Sequence, residues 1–146
     1  MRSTLTALTP PRRRSPASAL PRVPGLRRAW PQEDGSITFE AVDGEGLLRA
    51  GRIGPADRWS LAPYATDPAL PALSPEADGD LVVHRLGRRA VVIGASRVRK
   101  LVRPGRAHRL APPEALRPFR RAGLRTAEVI DRGPSHVSLE LVPGRS

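Results

Sequence analysis

Apolar positions in this chain come in short, strand-sized bursts separated by Gly, Pro, Asp and Arg, and none is long enough for a transmembrane helix. The clearest pattern lies over 80–102, which reads as three strands in sequence: DLVVHR, RRAVVIGA and RVRKLVR. Their joints, Leu86-Gly87 and Gly94-Ala95-Ser96, are short enough to force antiparallel hairpins, so a three-stranded meander is expected. In the third strand Val98, Lys100 and Val102 share a face under a period of two, which projects Lys100 between two aliphatic neighbours. The following segment, AHRLAPPEALRPFRRAGL, predicts a helix with Pro113 and Glu114 in its opening turn and Gly123 as its stop. Pro118 limits that helix to a short or kinked one, because an interior Pro removes a hydrogen bond and crowds the preceding turn. TAEVID and HVSLELV then predict two more strands about a Gly133-Pro134-Ser135 turn. The expectation for 80–142 is an α+β unit: a five-stranded antiparallel sheet with one helix inserted between its third and fourth strands.

The first half is less regular. SITFEAV and GLLRAGRI, separated by Asp43-Gly44-Glu45-Gly46, predict a β-hairpin, with Trp30 and Trp59 flanking it. Residues 54–79 are rich in Pro, Asp and Ala and read as a connector with at most one helical turn. Residues 1–29 mix Pro, Ser and Arg without helical or strand period and read as a disordered, dispensable leader. Three regions follow: the leader over 1–29, the hairpin and Pro-rich connector over 30–79, and the sheet-and-helix unit over 80–146.

Composition changes this picture in three ways. With two Phe, two Trp and one Tyr, the core must rest on Leu, Val, Ile and Ala. The absence of Cys excludes disulfides, thiolate metal sites and thiol nucleophiles, which suits a cytoplasmic origin. His84, His108 and His136 lie far apart with no acidic residue at metal-ligand spacing, so they read as surface residues and no metal site is expected. There is no Gly-x-Ser-x-Gly elbow, and no pair of carboxylates suggests acid/base catalysis.

The formal charge of +11 raises nucleic acid as a partner, since clustered cations gain affinity by releasing phosphate counterions. Against it, the Arg residues are scattered, the one tight run is Arg12 to Arg14, and aromatics that stack on bases are scarce. A coding bias also produces such a composition. Lys100 is the single Lys among 25 cationic residues, and a compact ammonium is not interchangeable with a guanidinium at a phosphate.

Three antiparallel strands, a helix and two further strands ending in Pro-Gly is the element order of a kinase N-terminal lobe. VVHRLGRRAVVIGASRVRKLVRPGRA resembles the start of the kinase-like region of bacterial aminoglycoside phosphotransferase-family proteins, and VSLELVPGRS resembles that family's last N-lobe strand running into the interlobe hinge. The resemblance covers about 80–146 and leaves 1–79 unexplained. It implies ATP as the nucleotide, with magnesium in a complete enzyme. It makes Lys100 the contact to the α- and β-phosphates and Glu114 the helix carboxylate that holds the ammonium. It places Gly87 and Arg88 in the phosphate-covering turn, and gives the Glu140 to Val142 backbone the adenine edge. The acceptor-orienting carboxylate and the magnesium ligands of this family lie in its C-terminal lobe, so the expectation is a truncated nucleotide-binding lobe without a catalytic residue. A separately encoded second lobe is then a possible partner. The competing expectation is a small basic β-rich protein that binds nucleic acid.

Overall fold

The computed structural model describes residues 16–110 and 112–142. The chain is α+β, built on two antiparallel sheets. The first runs in the order β1 (Leu26–Pro31), β2 (Ile37–Val42), β3 (Leu48–Ile53), β4 (Trp59–Leu61). The second contains β5 (Asp80–Arg85), β6 (Arg89–Ile93), β7 (Arg97–Val102), β8 (Val129–Arg132) and β9 (His136–Glu140), in the order β5-β6-β7-β9-β8. The helix α1 (Pro113–Arg121) lies in the chain between β7 and β8.

The hairpin expected over 36–53 is β2 and β3, in register from Ile37 opposite Ile53 to Val42 opposite Leu48. Asp43 closes its turn, its carboxylate accepting the backbone N–H groups of Glu45 and Leu47. Two neighbours widen the hairpin into a sheet. β4, within the expected connector, pairs with β3, and β1, which begins in the expected leader and runs two residues past it, pairs with β2.

The leader assignment therefore fails for 16–29. A 3-10 helix over Pro16–Arg22 leads into β1, and Ala19 and Val23 are buried in a cluster with Ile37, Phe39, Ala41 and Ile53. Small apolar side chains spaced without period were enough, because the sheet supplies the order that the local sequence lacks. Residues 1–15, including Arg12 to Arg14, lie outside the described residues.

A second cluster joins the two sheets: Leu48 of β3, Ala65, Leu70 and Leu73 of the connector, Leu81 of β5, Ala90 and Val92 of β6, and Leu101 of β7. The Pro-rich connector is thus a packed layer. Beneath it lies a buried polar chain. Glu40 is fully buried; its carboxylate pairs with Arg28 and accepts the His84 backbone N–H at 3.0 Å. The His84 ring, 1 % exposed, faces Asp67 at 3.3 Å, which corrects the reading of His84 as a surface residue. A charge or ring buried with its partners satisfied is compatible with a stable interior.

The helix opens at Pro113, stops just before Gly123 and is short, as the sequence predicts, but it differs from expectation in packing. It is preceded by a separate 3-10 turn over Ala107–Arg109, and holds Pro118 inside. Nearly all of its described side chains are exposed, Phe119 among them.

Candidate functional site

The two faces of the second sheet have different fates. Leu81, His84, Ala90, Val92 and Leu101 point to the first sheet and its connector. On the other face, Lys100 stands opposite Val91 of β6 and Val137 of β9, while Val98 stands opposite Ile93 and Leu139. One end of that face is covered by Ala107, Leu110 and Ala127, which pack on Val102, Val137 and Leu139. The other end is open: Val91 and Val98 are part-buried and Ile93 is exposed. Lys100, itself part-buried, stands within this aliphatic strip, as its alternation with Val98 and Val102 required.

Glu114 is not brought to it. The carboxylate sits on the exposed helix, and among the described residues no ion pair or hydrogen bond joins it to Lys100. Three Pro residues account for this: Pro112 and Pro113 fix where the helix starts, Pro118 shortens it, and the helix never lies down on the sheet.

Gly87 and Arg88 form the turn between β5 and β6, with Gly87 at a φ of 67°. The turn leans towards the first sheet. Asp67 accepts the Gly87 N–H at 2.6 Å, and Arg103 donates through Nε to the Gly87 carbonyl at 2.5 Å. Asp67 lies below the usual carboxylate range: burial pushes its pKa up, but bonds from His84 and from the Gly87 and Ala69 amides outweigh that.

At the last described strand, the Glu140 N–H is spent on the Glu128 carbonyl at 2.8 Å and the Leu141 N–H on Ser96 at 3.1 Å. The Glu140 side chain pairs with Arg125 at 2.7 Å. Glu140 thus has no free backbone donor for an adenine edge, whereas among the described residues no such bond engages the part-buried Val142.

A cleft of about 290 Å³ opens where the β1–β2 loop meets the β5–β6 turn, lined by Gln32, Glu33, Asp34, Thr38, Arg52, Leu86, Gly87, Arg88 and Arg103. Sequence reading missed it because its walls come from segments more than thirty positions apart. The signal that remained was the Gly87-Arg88 pair alone.

Among the described residues no group of His, Asp and Glu has metal-binding proximity, and no helix is long and apolar enough to cross a membrane. The class of protein so defined is a two-sheet antiparallel α+β fold with a lysine on an open apolar face. No protein-family model matches the chain, and comparisons with curated proteins and with solved structures find no match.

Proposed function

We propose that residues 80–142 are the nucleotide-facing lobe of a kinase-fold small-molecule phosphotransferase of the aminoglycoside phosphotransferase type, with Lys100 contacting the ATP phosphates. The observation that carries this reading is the position of Lys100: the chain's single Lys emerges from an open aliphatic strip formed by Val91, Val98 and Ile93. Apolar walls with one convergent cation suit a nucleotide, whose base needs an apolar surface and whose phosphates need charge. The order of meander, helix and two returning strands supports it further.

In this reading the ammonium acts by neutralising charge, and Glu114 contributes nothing to the unliganded arrangement. The residues that orient an acceptor hydroxyl and hold magnesium in such enzymes belong to a second lobe, so this region by itself is expected to bind ATP weakly and transfer no phosphoryl group.

The test is calorimetric titration of ATP with magnesium into the protein, Lys100→Ala and Arg12→Ala. Loss of one charge-assisted contact should weaken binding about tenfold for Lys100→Ala, with Arg12→Ala unchanged. Equal weakening by both variants sinks the assignment.

One observation favours the nucleic-acid reading instead. The exposed helix presents Arg117 and Arg121 one turn apart on one face, a basic surface that meets phosphates. RNA or DNA binding that falls steeply with salt and is lost in Arg117→Ala and Arg121→Ala would favour it over the phosphotransferase.

A further inference from the structure

The cleft between the sheets lies outside the Lys100 face, and Lys100 does not line it. Its charges are unevenly matched. Arg52 is paired with Asp34, whose carboxylate is held ionised first by the Ser36 hydroxyl and amide and also by Arg52. The Gln32 amide nitrogen is spent on the Trp30 and Pro31 carbonyls and on Thr38. Two guanidinium groups remain. Arg103 uses Nε on the Gly87 carbonyl, and the rest of its fork has no partner among the described residues. Arg88 has no side-chain partner there at all, although it lines the cleft. Glu33 is the sole carboxylate of the lining left to oppose them.

The turn that carries Arg88, and that Arg103 reaches from the end of β7, is held in place. Asp67, buried and bonded to His84, fixes the Gly87 amide, and Arg103 fixes the Gly87 carbonyl. A side chain at Gly87 would come within 3.4 Å of the Arg103 Nη2 and would need a φ of 67°. Two guanidinium groups without an ion-pair partner among the described residues, beside a fixed backbone turn and outnumbering the one carboxylate, Glu33, left in the lining, match an anion with several acceptor oxygens and more than one charge; a single carboxylate offers too few of either.

We propose that this cleft is an anion site that seats a phosphate or diphosphate group between Arg88 and Arg103, in a position the upstream sheet helps to form. Its ligand is a small phosphorylated molecule. The proposal does not need Lys100, which does not line the cleft, although Gly87 and Arg88 are also the turn to which the phosphotransferase reading gives the phosphates; the Lys100→Gln arm below tells the two apart.

The probe is pyrophosphate, titrated into the full chain while the backbone amide shifts of Gly87 and Arg88 are followed. Saturable shifts are expected, weakened about tenfold in Arg88→Gln and in Arg103→Gln and unchanged in Lys100→Gln and in Arg117→Gln. Arg88 is exposed and its removal breaks no bond within the described fold, so the Arg88→Gln arm remains readable even where Arg103→Gln perturbs the turn. Absence of saturation in the parent protein overturns the site. Equal weakening by Arg117→Gln also overturns it, since binding would then be a diffuse response to net charge, and so does loss in Lys100→Gln with Arg88→Gln unaffected. Adenosine alone should leave the Gly87 and Arg88 shifts unmoved; if it moves them as pyrophosphate does, the phosphate assignment is wrong. Competition between ATP and pyrophosphate then separates a nucleotide source of the phosphate from a free phosphorylated molecule, and either result supports the cleft.

Discussion

The carboxylate of Asp67 accepts the backbone N–H of Gly87 at 2.6 Å, tying the loop layer between the sheets to the turn that carries Arg88. The same carboxylate meets the His84 ring and the Ala69 amide. One side chain therefore satisfies three polar groups around it, two of them backbone donors whose alternatives are poor in a buried setting.

Asp67→Ala should cost about 3 kcal/mol in chemical denaturation, since it leaves those donors without a partner. Asp67→Asn, which keeps an acceptor, should cost less. A loss below 1 kcal/mol for the alanine variant, by a rough mutational standard, would mean the network is not holding the fold.

Acid sensitivity follows from the same residue. The folded pKa of Asp67 is lowered below 3.8, so the stability it contributes is present above the unfolded value and is lost as pH falls through the folded one. Exposed Asp34 and Asp131 and part-buried Asp43 are lowered too, and therefore the informative quantity is the difference between the parent and Asp67→Asn. That difference should shrink as acid is added below the ordinary carboxylate pKa. A constant difference across the acid range contradicts the assignment.

Leu101 and Phe119 make a contrast between core and surface. Leu101 is fully buried between the sheets, and Leu101→Ala should lose about 3 kcal/mol through transfer and cavity terms. Phe119 is 53 % exposed on α1, and Phe119→Ala should change stability by less than about 0.5 kcal/mol. Urea midpoints of the two variants decide it, and similar losses would show that the helix packs on the sheet after all.

Gly51 permits the closest approach within the first sheet. A Cβ there would lie 2.3 Å from the Phe39 ring and 2.6 Å from the Ser60 carbonyl oxygen. Phe39 is fully buried and stands edge-on to Trp59 at 6.4 Å, so the ring has little room to retreat. Gly51→Ala should destabilise by about 2 kcal/mol or more through overpacking, read as a lower thermal midpoint; an unchanged midpoint would mean that β3 and β4 separate at little cost.

Removing residues 1–29 should lower the thermal midpoint by about 10 °C or more, because β1 pairs along β2 and because Ala19 and Val23 are buried. Val23→Ala is the milder arm, expected to lose about 1 kcal/mol. A truncated protein that unfolds at the parent's temperature would return 16–29 to the status of a leader.

Much of the second sheet was legible from periodicity. Val98, Lys100 and Val102 alternate, the joints around Gly87 and Gly94 are short, and these features alone dictate antiparallel neighbours and the face on which Lys100 stands. The strand TAEVID was less well placed: pairing begins at Val129 and extends to Arg132, because partners on β9 and a bulge, not local propensity, choose the residues that bond. β1 was invisible for a similar reason. Its sequence, LRRAWP, has no apolar alternation, and it becomes a strand by completing the edge of β2.

The candidate sites divide along the same line. The sequence by itself determined the antiparallel meander, the hairpin over 36–53 and the aliphatic setting of Lys100, since each depends on neighbours within a few positions of the chain. Only the tertiary structure decided that Glu114 stays away from Lys100, that His84 is buried against Asp67, and that Arg88 and Arg103 share a cleft with Arg52 and Asp34. Those outcomes depend on how two sheets pack across a layer of connector residues. Burial of Leu48, Leu70 and Leu101 sets that packing, and a non-directional force between distant segments leaves no local period for the sequence to display.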